Sequence, residues 1–88
     1  MLRKEISLDR NTVLTTILQQ IRIVEPAMLE QDISAEDSMV DIGIDSVSRQ
    51  DVLILTMEAL GLDLPMVQLF GPRNIGELAD LLYAKLPR

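Results

Sequence analysis

From Asp9 onward the apolar residues recur with a helical period, not an alternating one. Val13, Leu14, Ile17, Leu18, Ile21 and Val24 fall within about 140° of arc at about 100° per residue, the pattern of a helix lying on a core. Asp9 is suited to cap this helix, and Pro26 forces Glu25 out of helical geometry and ends it; Ile23 falls off the stripe. A second helix is predicted to start at Asp45 or Ser46, both good caps, and to run to about Leu60, where Gly61 stops it. A third begins at Asn74, with Glu77 three residues on in a capping-box arrangement. Its apolar residues Ile75, Leu78, Ala79, Leu82 and Leu86 share an arc of about 100°, flanked by Leu81 and Tyr83. Residues 66–70 have room for one short helical turn, set between the connector 62–65 and Gly71-Pro72.

The stretch 26–45 has neither period. Met28, Leu29, Ile33, Met39, Ile42 and Ile44 are spaced as anchors that tuck an extended segment over the core. A loop near twenty residues is uncommon in a compact domain and is more often functional than filler. With three substantial helices, one short piece, no strand candidate and no internal repeat, the expectation is an all-α chain, a small helical bundle with a long loop between its first two helices. One domain over residues 1–88 is expected, with 1–8 a polar lead-in, because 88 residues cannot divide into two cores.

The second helix has an unusual pattern. Val47, Val52, Leu53, Ile54, Leu55, Met57 and Leu60 cover nearly its whole circumference, so it is either central or keeps an apolar strip for another protein. Val47, Asp51, Ile54 and Glu58 lie within about 60° of one another on the wheel. Two acids do not belong on a core face, so this stripe is expected outside, with Val52, Leu53 and Leu60 turned inward. It reads as a docking surface, or else as a solvated face with two apolar residues.

Composition narrows the chemistry. There is no Cys and no His, which removes disulfides, thiolate sites, the usual neutral-pH base and the commonest zinc ligand. No apolar run exceeds four residues, so neither a membrane span nor a signal-peptide core is expected. The chain carries 8 Lys and Arg against 14 Asp and Glu. Residues 25–63 alone hold ten acids and one base, Arg49. That acidity disfavours nucleic acid and suits a protein with a basic docking surface, though it also serves plain solubility. A chain so poor in catalytic groups is not expected to be an enzyme on its own.

The residues 41–47, Asp-Ile-Gly-Ile-Asp-Ser-Val, bend at Gly43 and deliver Ser46 to a helix start, where free N–H groups and the helix dipole favour an anion. Ser46 is therefore placed either to become a phosphodiester or merely to cap the helix. Residues 39–82 resemble acyl carrier proteins, through Gly43-Ile44-Asp45-Ser46-Val47, residues 62–65 after the helix, and the closing helix from Ile75 to Leu82. The resemblance implies the four-helix carrier bundle and a 4′-phosphopantetheine arm from coenzyme A on Ser46, with Asp45 as the flanking motif residue. It also makes the second helix the recognition helix, its partner-facing residues Val47, Arg49, Asp51, Ile54 and Glu58.

A narrower likeness lies in residues 43–49, in Thr56-Met57-Glu58 and in residues 74–81, which look like the stand-alone donor carriers of polyketide β-branching cassettes. In that family a malonyl group is decarboxylated on the carrier and the acetyl group passes to a synthase resembling hydroxymethylglutaryl-CoA (HMG-CoA) synthase. The implied partners are a phosphopantetheinyl transferase, a malonyl acyltransferase, a ketosynthase-like decarboxylase and the HMG-CoA-synthase-like enzyme. A free-standing, cytoplasmic, monomeric carrier is expected. Gln50 and Met57 depart from the fatty-acid-synthesis pattern, and Arg49 is unusual for it. A general polyketide or peptidyl carrier, or an acidic helical adaptor that is never modified, are the other readings. Met28, Met57 and Met66 are expected either to pack the core or to shape a cleft for cargo.

Overall fold

The computed structural model describes residues 9–86; the lead-in expected over 1–8 lies outside them. Three helices carry the fold: α1 over Arg10–Val24, α2 over Ser46–Leu60 and α3 over Ile75–Lys85. Two 3-10 turns, Pro26–Glu30 and Met66–Phe70, complete the elements, and no strand occurs among the described residues. The all-α expectation of three long helices and one short piece therefore holds, with Met66–Phe70 as the short piece. The Pro26–Glu30 turn lies in the stretch read as a loop.

Each boundary has a local cause. Asp9 accepts the Thr12 N–H at 2.8 Å at the start of α1, and Asn74 accepts that of Glu77 at 2.7 Å at the start of α3. In the capping box of α3 Glu77 accepts in return from the N–H of Arg73, one residue ahead of the cap. Gly61 ends α2 at φ 70°, a left-handed conformation that glycine adopts without the Cβ penalty. Leu62 then donates to the Met57 carbonyl, closing the last turn. Beyond α1, Arg22 donates to the carbonyls of Met28 and Gln31, fastening the 3-10 turn under the helix it follows.

Helix α1 packs against both α2 and α3. It contributes Val13, Ile17 and Ile21, all fully buried. From α2 come Val52, Leu53 and Leu60, and from α3 Ile75, Leu78, Ala79 and Leu82. Helices α2 and α3 meet each other far less than either meets α1, so a cleft opens between them. Ile44 is the one fully buried anchor of the long loop; Met28, Ile33, Met39 and Ile42 are half-buried against the core. Leu29 does not anchor, being 63% exposed. The 3-10 turn directs it outward, which a loop reading could not foresee. Met57 and Met66 also pack against the core, so the three methionines take the packing role, one of the two expected of them.

The loop is fixed at its middle to α3. Ile75 donates to the Asp37 carbonyl at 2.9 Å and Gly76 to that of Ala35 at 2.8 Å, so two N–H groups of the first turn of α3 are satisfied by the loop. Arg10 pairs with Asp80 and donates to the Gly76 carbonyl, joining the starts of α1 and α3. The Arg10–Asp80 pair is exposed on both sides and contributes at most about 1 kcal/mol.

Candidate functional site: the Ser46 end of helix α2

Ser46 is the first residue of α2 and is exposed. The loop reaches it through a tight bend. Gly43 donates to the Val40 carbonyl and Ile44 to that of Met39, and Gly43 sits at φ 97°, a region that costs any other residue strain. Ile44, buried at 1% exposure, pins the segment so that Asp45 and Ser46 emerge from the surface directly after it.

The choice between Asp45 and Ser46 as cap is resolved in favour of Asp45. Its Oδ1 accepts the Ser48 N–H at 2.8 Å. This bond, reinforced by the nearby charge of Arg49, holds the Asp45 carboxyl below its ordinary value of 3.8. The Ser46 hydroxyl is left without a hydrogen bond to any described residue. An exposed, uncommitted hydroxyl at a helix start fits covalent attachment of a phosphodiester, whose charge the helix end favours.

Beside Ser46 lies the cleft between α2 and α3, about 450 Å³ in volume. Its floor is apolar, made by Met39, Leu53, Leu69, Ile75 and Leu78, and Phe70 stands at its edge. The sequence did not mark this cleft. Its lining comes from four segments that are apart in the chain, and the 69% exposure of Phe70 has no signature in periodicity.

The structure brings together four of the five residues expected to face a partner. Val47, Asp51, Ile54 and Glu58 are all exposed along one side of α2. The buried residues Val52, Leu53, Thr56 and Leu60 occupy an arc of about 100° on the opposite side. Arg49 stands apart from the stripe. It is half-buried, and its Nη1 donates to the Ile44 carbonyl at 2.9 Å, because its wheel position faces the loop. No group of three or more potential metal ligands occurs among the described residues, and no helix there is long and apolar enough to cross a membrane.

A three-helix bundle with a short turn before its last helix, presenting a free serine at the start of its second helix, is the architecture of a carrier domain. The chain belongs to the phosphopantetheine attachment site family, whose model matches residues 11–82. It is 34% identical over 79 residues, 90% of this chain and 96% of the relative, to the polyketide biosynthesis acyl-carrier-protein AcpK of Bacillus subtilis (strain 168). It is also similar to a chain of the crystal structure of the curacin biosynthetic pathway HMG synthase in complex with acetyl donor-ACP. That match has a TM-score of 0.84 and 38% identity, covering 89% of this chain and 100% of the other. Membership carries with it the covalent 4′-phosphopantetheine arm and a non-catalytic carrier role, and it sets aside the unmodified adaptor.

Proposed function

We propose that Ser46 is the attachment residue and that the protein is the acetyl donor to an HMG-CoA-synthase-like enzyme in polyketide β-branching. On this reading a phosphopantetheinyl transferase modifies Ser46 and an acyltransferase loads malonyl. A ketosynthase-like partner then releases CO2, leaving acetyl for the synthase. When bound, the arm supplies a thiol for the acyl group and a flexible reach that replaces diffusion with high effective concentration. The chain's own residues provide the exposed hydroxyl, the Asp45 cap that leaves it free, and the acidic stripe of α2 as an address.

The observation that carries the donor role is the match over the full length of a chain in the HMG synthase complex. A chain covered completely by 89% of this one is carrier-sized, as the acetyl donor-ACP of that complex must be. The polyketide setting is supported by the AcpK relative, and the cytoplasm, where coenzyme A is at hand, is the compartment we assign.

The test has two stages. Incubation with coenzyme A and a broad-specificity phosphopantetheinyl transferase is expected to raise the intact mass, and Ser46→Ala to abolish the gain; a gain that survives this change moves the attachment elsewhere. The acetyl form is then offered to an HMG-CoA-synthase-like enzyme. Failure of transfer, with the mass gain intact, removes the donor role and leaves a general polyketide carrier.

A further inference from the structure

The cleft beside Ser46 has an electrostatic character opposite to that of the chain. The protein has a formal charge of −6, yet the cleft is lined by two arginines, Arg49 and Arg73, and by no carboxylate. Arg49 is partly committed, donating to the Ile44 carbonyl at 2.9 Å and lying near Asp45. Arg73 is exposed, and its guanidinium makes no ion pair or hydrogen bond among the described residues. The carboxylate nearest to it along the chain, Glu77, is engaged with the Arg73 backbone N–H at 2.8 Å.

An arginine lining a cleft with an apolar floor suits an anion, because its fork of donors can hold an oxyanion in a bidentate pair. A purely aliphatic cargo would use Met39, Leu53 and Leu78 and leave Arg73 without counter-charge. We propose that the cleft is an anion subsite for the loaded arm, with Arg73 as counter-ion to an oxyanion that the arm carries beside Ser46. This rests on the reading of Ser46 as the attachment residue. Two oxyanions answer that description: the phosphodiester of the arm itself and the free carboxylate of a malonyl cargo.

The experiment compares the apo, holo, acetyl and malonyl forms of the whole chain, each verified by mass, through the NMR signal of the Arg73 Nε–Hε group. Arg73→Gln assigns the signal, and, because Arg73 lies on an exposed connector, this change leaves the fold intact. A shift that appears on going from apo to holo and persists in the loaded forms identifies the phosphodiester as partner. A shift that appears only with malonyl, and not with acetyl, identifies the cargo carboxylate. In either case the shift is expected to shrink at about 0.5 M salt, where surface charges are screened over a few ångströms. A signal that is the same in all four forms overturns the proposal, as does one that moves only with acetyl, which adds no charge to the holo form. The acetyl-transfer assay is independent of this signal, so failure of the donor role and failure of the anion subsite are told apart.

Discussion

Asp45 Oδ1 accepts the Ser48 N–H at 2.8 Å, and because this carboxylate caps α2, the adjacent Ser46 hydroxyl does not. The neighbours differ in commitment: one side chain satisfies the helix end and the next keeps its hydroxyl without a partner among the described residues. The division has a consequence in acid. Asp45 is held below its ordinary value of 3.8, chiefly by the Ser48 bond, so its ionised form is favoured by folding. The stability it contributes is present above about pH 3.8 and is lost as pH falls through the lowered folded value. Asp9 caps α1 in the same way, its carboxyl lowered by the Thr12 bond. Thermal melts of Asp45→Asn are expected to lie below the parent at pH 7 and to approach it as the pH falls through the lowered folded value. A gap that stays constant across this range contradicts the assignment.

Gly76 is held against Ala35 by the 2.8 Å bond from its N–H. A Cβ at this position would stand 3.1 Å from the Ala35 carbonyl oxygen, 3.2 Å from the Ala35 Cβ and 3.3 Å from Arg10 Nη2. The arginine can swing away, but the Ala35 backbone is fixed by the very bond that brings it close. Gly76→Ala is expected to lower stability by about 1 kcal/mol, the strain of overpacking outweighing the gain in helix propensity. Urea unfolding checks this, and a higher midpoint would show that the loop moves aside freely.

The helices were readable because each start and stop is a local event: Asp9, Asn74 and Gly61 act through hydrogen bonds or dihedrals that lie within a few residues of themselves. The place of Ser46 at the start of α2 was readable from the Asp-Ser pair ahead of the helix. The inward set of Val52, Leu53 and Leu60, and the outward stripe opposite it, followed from the wheel. The cleft was not legible, because Met39, Arg49, Leu69 and Leu78 become neighbours only when α2 and α3 are both laid on α1. The outward turn of Leu29 was hidden for a related reason: a 3-10 turn has a different period from the helix and strand patterns sought. Arg49 was grouped with the docking residues by its place in the motif, although its wheel position faces the loop, where the Ile44 carbonyl receives it.

Thr56 is the one buried polar residue among the described residues, fully buried on the inward face of α2, and its hydroxyl has no hydrogen-bond partner there. An unpaired hydroxyl in an apolar core costs roughly 1 to 3 kcal/mol of desolvation. Thr56→Val keeps the branched shape and is expected to stabilise the fold by about 1 kcal/mol, whereas Thr56→Ala opens a cavity and loses about as much. Denaturant midpoints of the two variants should therefore bracket the parent. A Thr56→Val variant less stable than the parent would contradict the unpaired state of the hydroxyl.

Asp51 and Glu58 flank Ile54 on the exposed side of α2, with Val47 at the Ser46 end. Neither carboxylate is in an ion pair among the described residues, so their charge is available to a partner. Charges arranged this way act mainly on the rate of encounter, and a carrier must also leave each partner quickly. Asp51→Lys or Glu58→Lys, each reversing one charge, is expected to slow modification by the phosphopantetheinyl transferase about three- to tenfold at low salt. The deficit should fade at about 0.5 M salt, where screening shortens the reach of surface charge. Both sites are exposed and outside the buried set of α2, so thermal unfolding should move by less than about 0.5 kcal/mol. Modification rates equal to the parent at low salt would remove the stripe as the address. An equal loss at all salt concentrations would assign the effect to shape instead of charge, with Val47 and Ile54 then the residues to truncate.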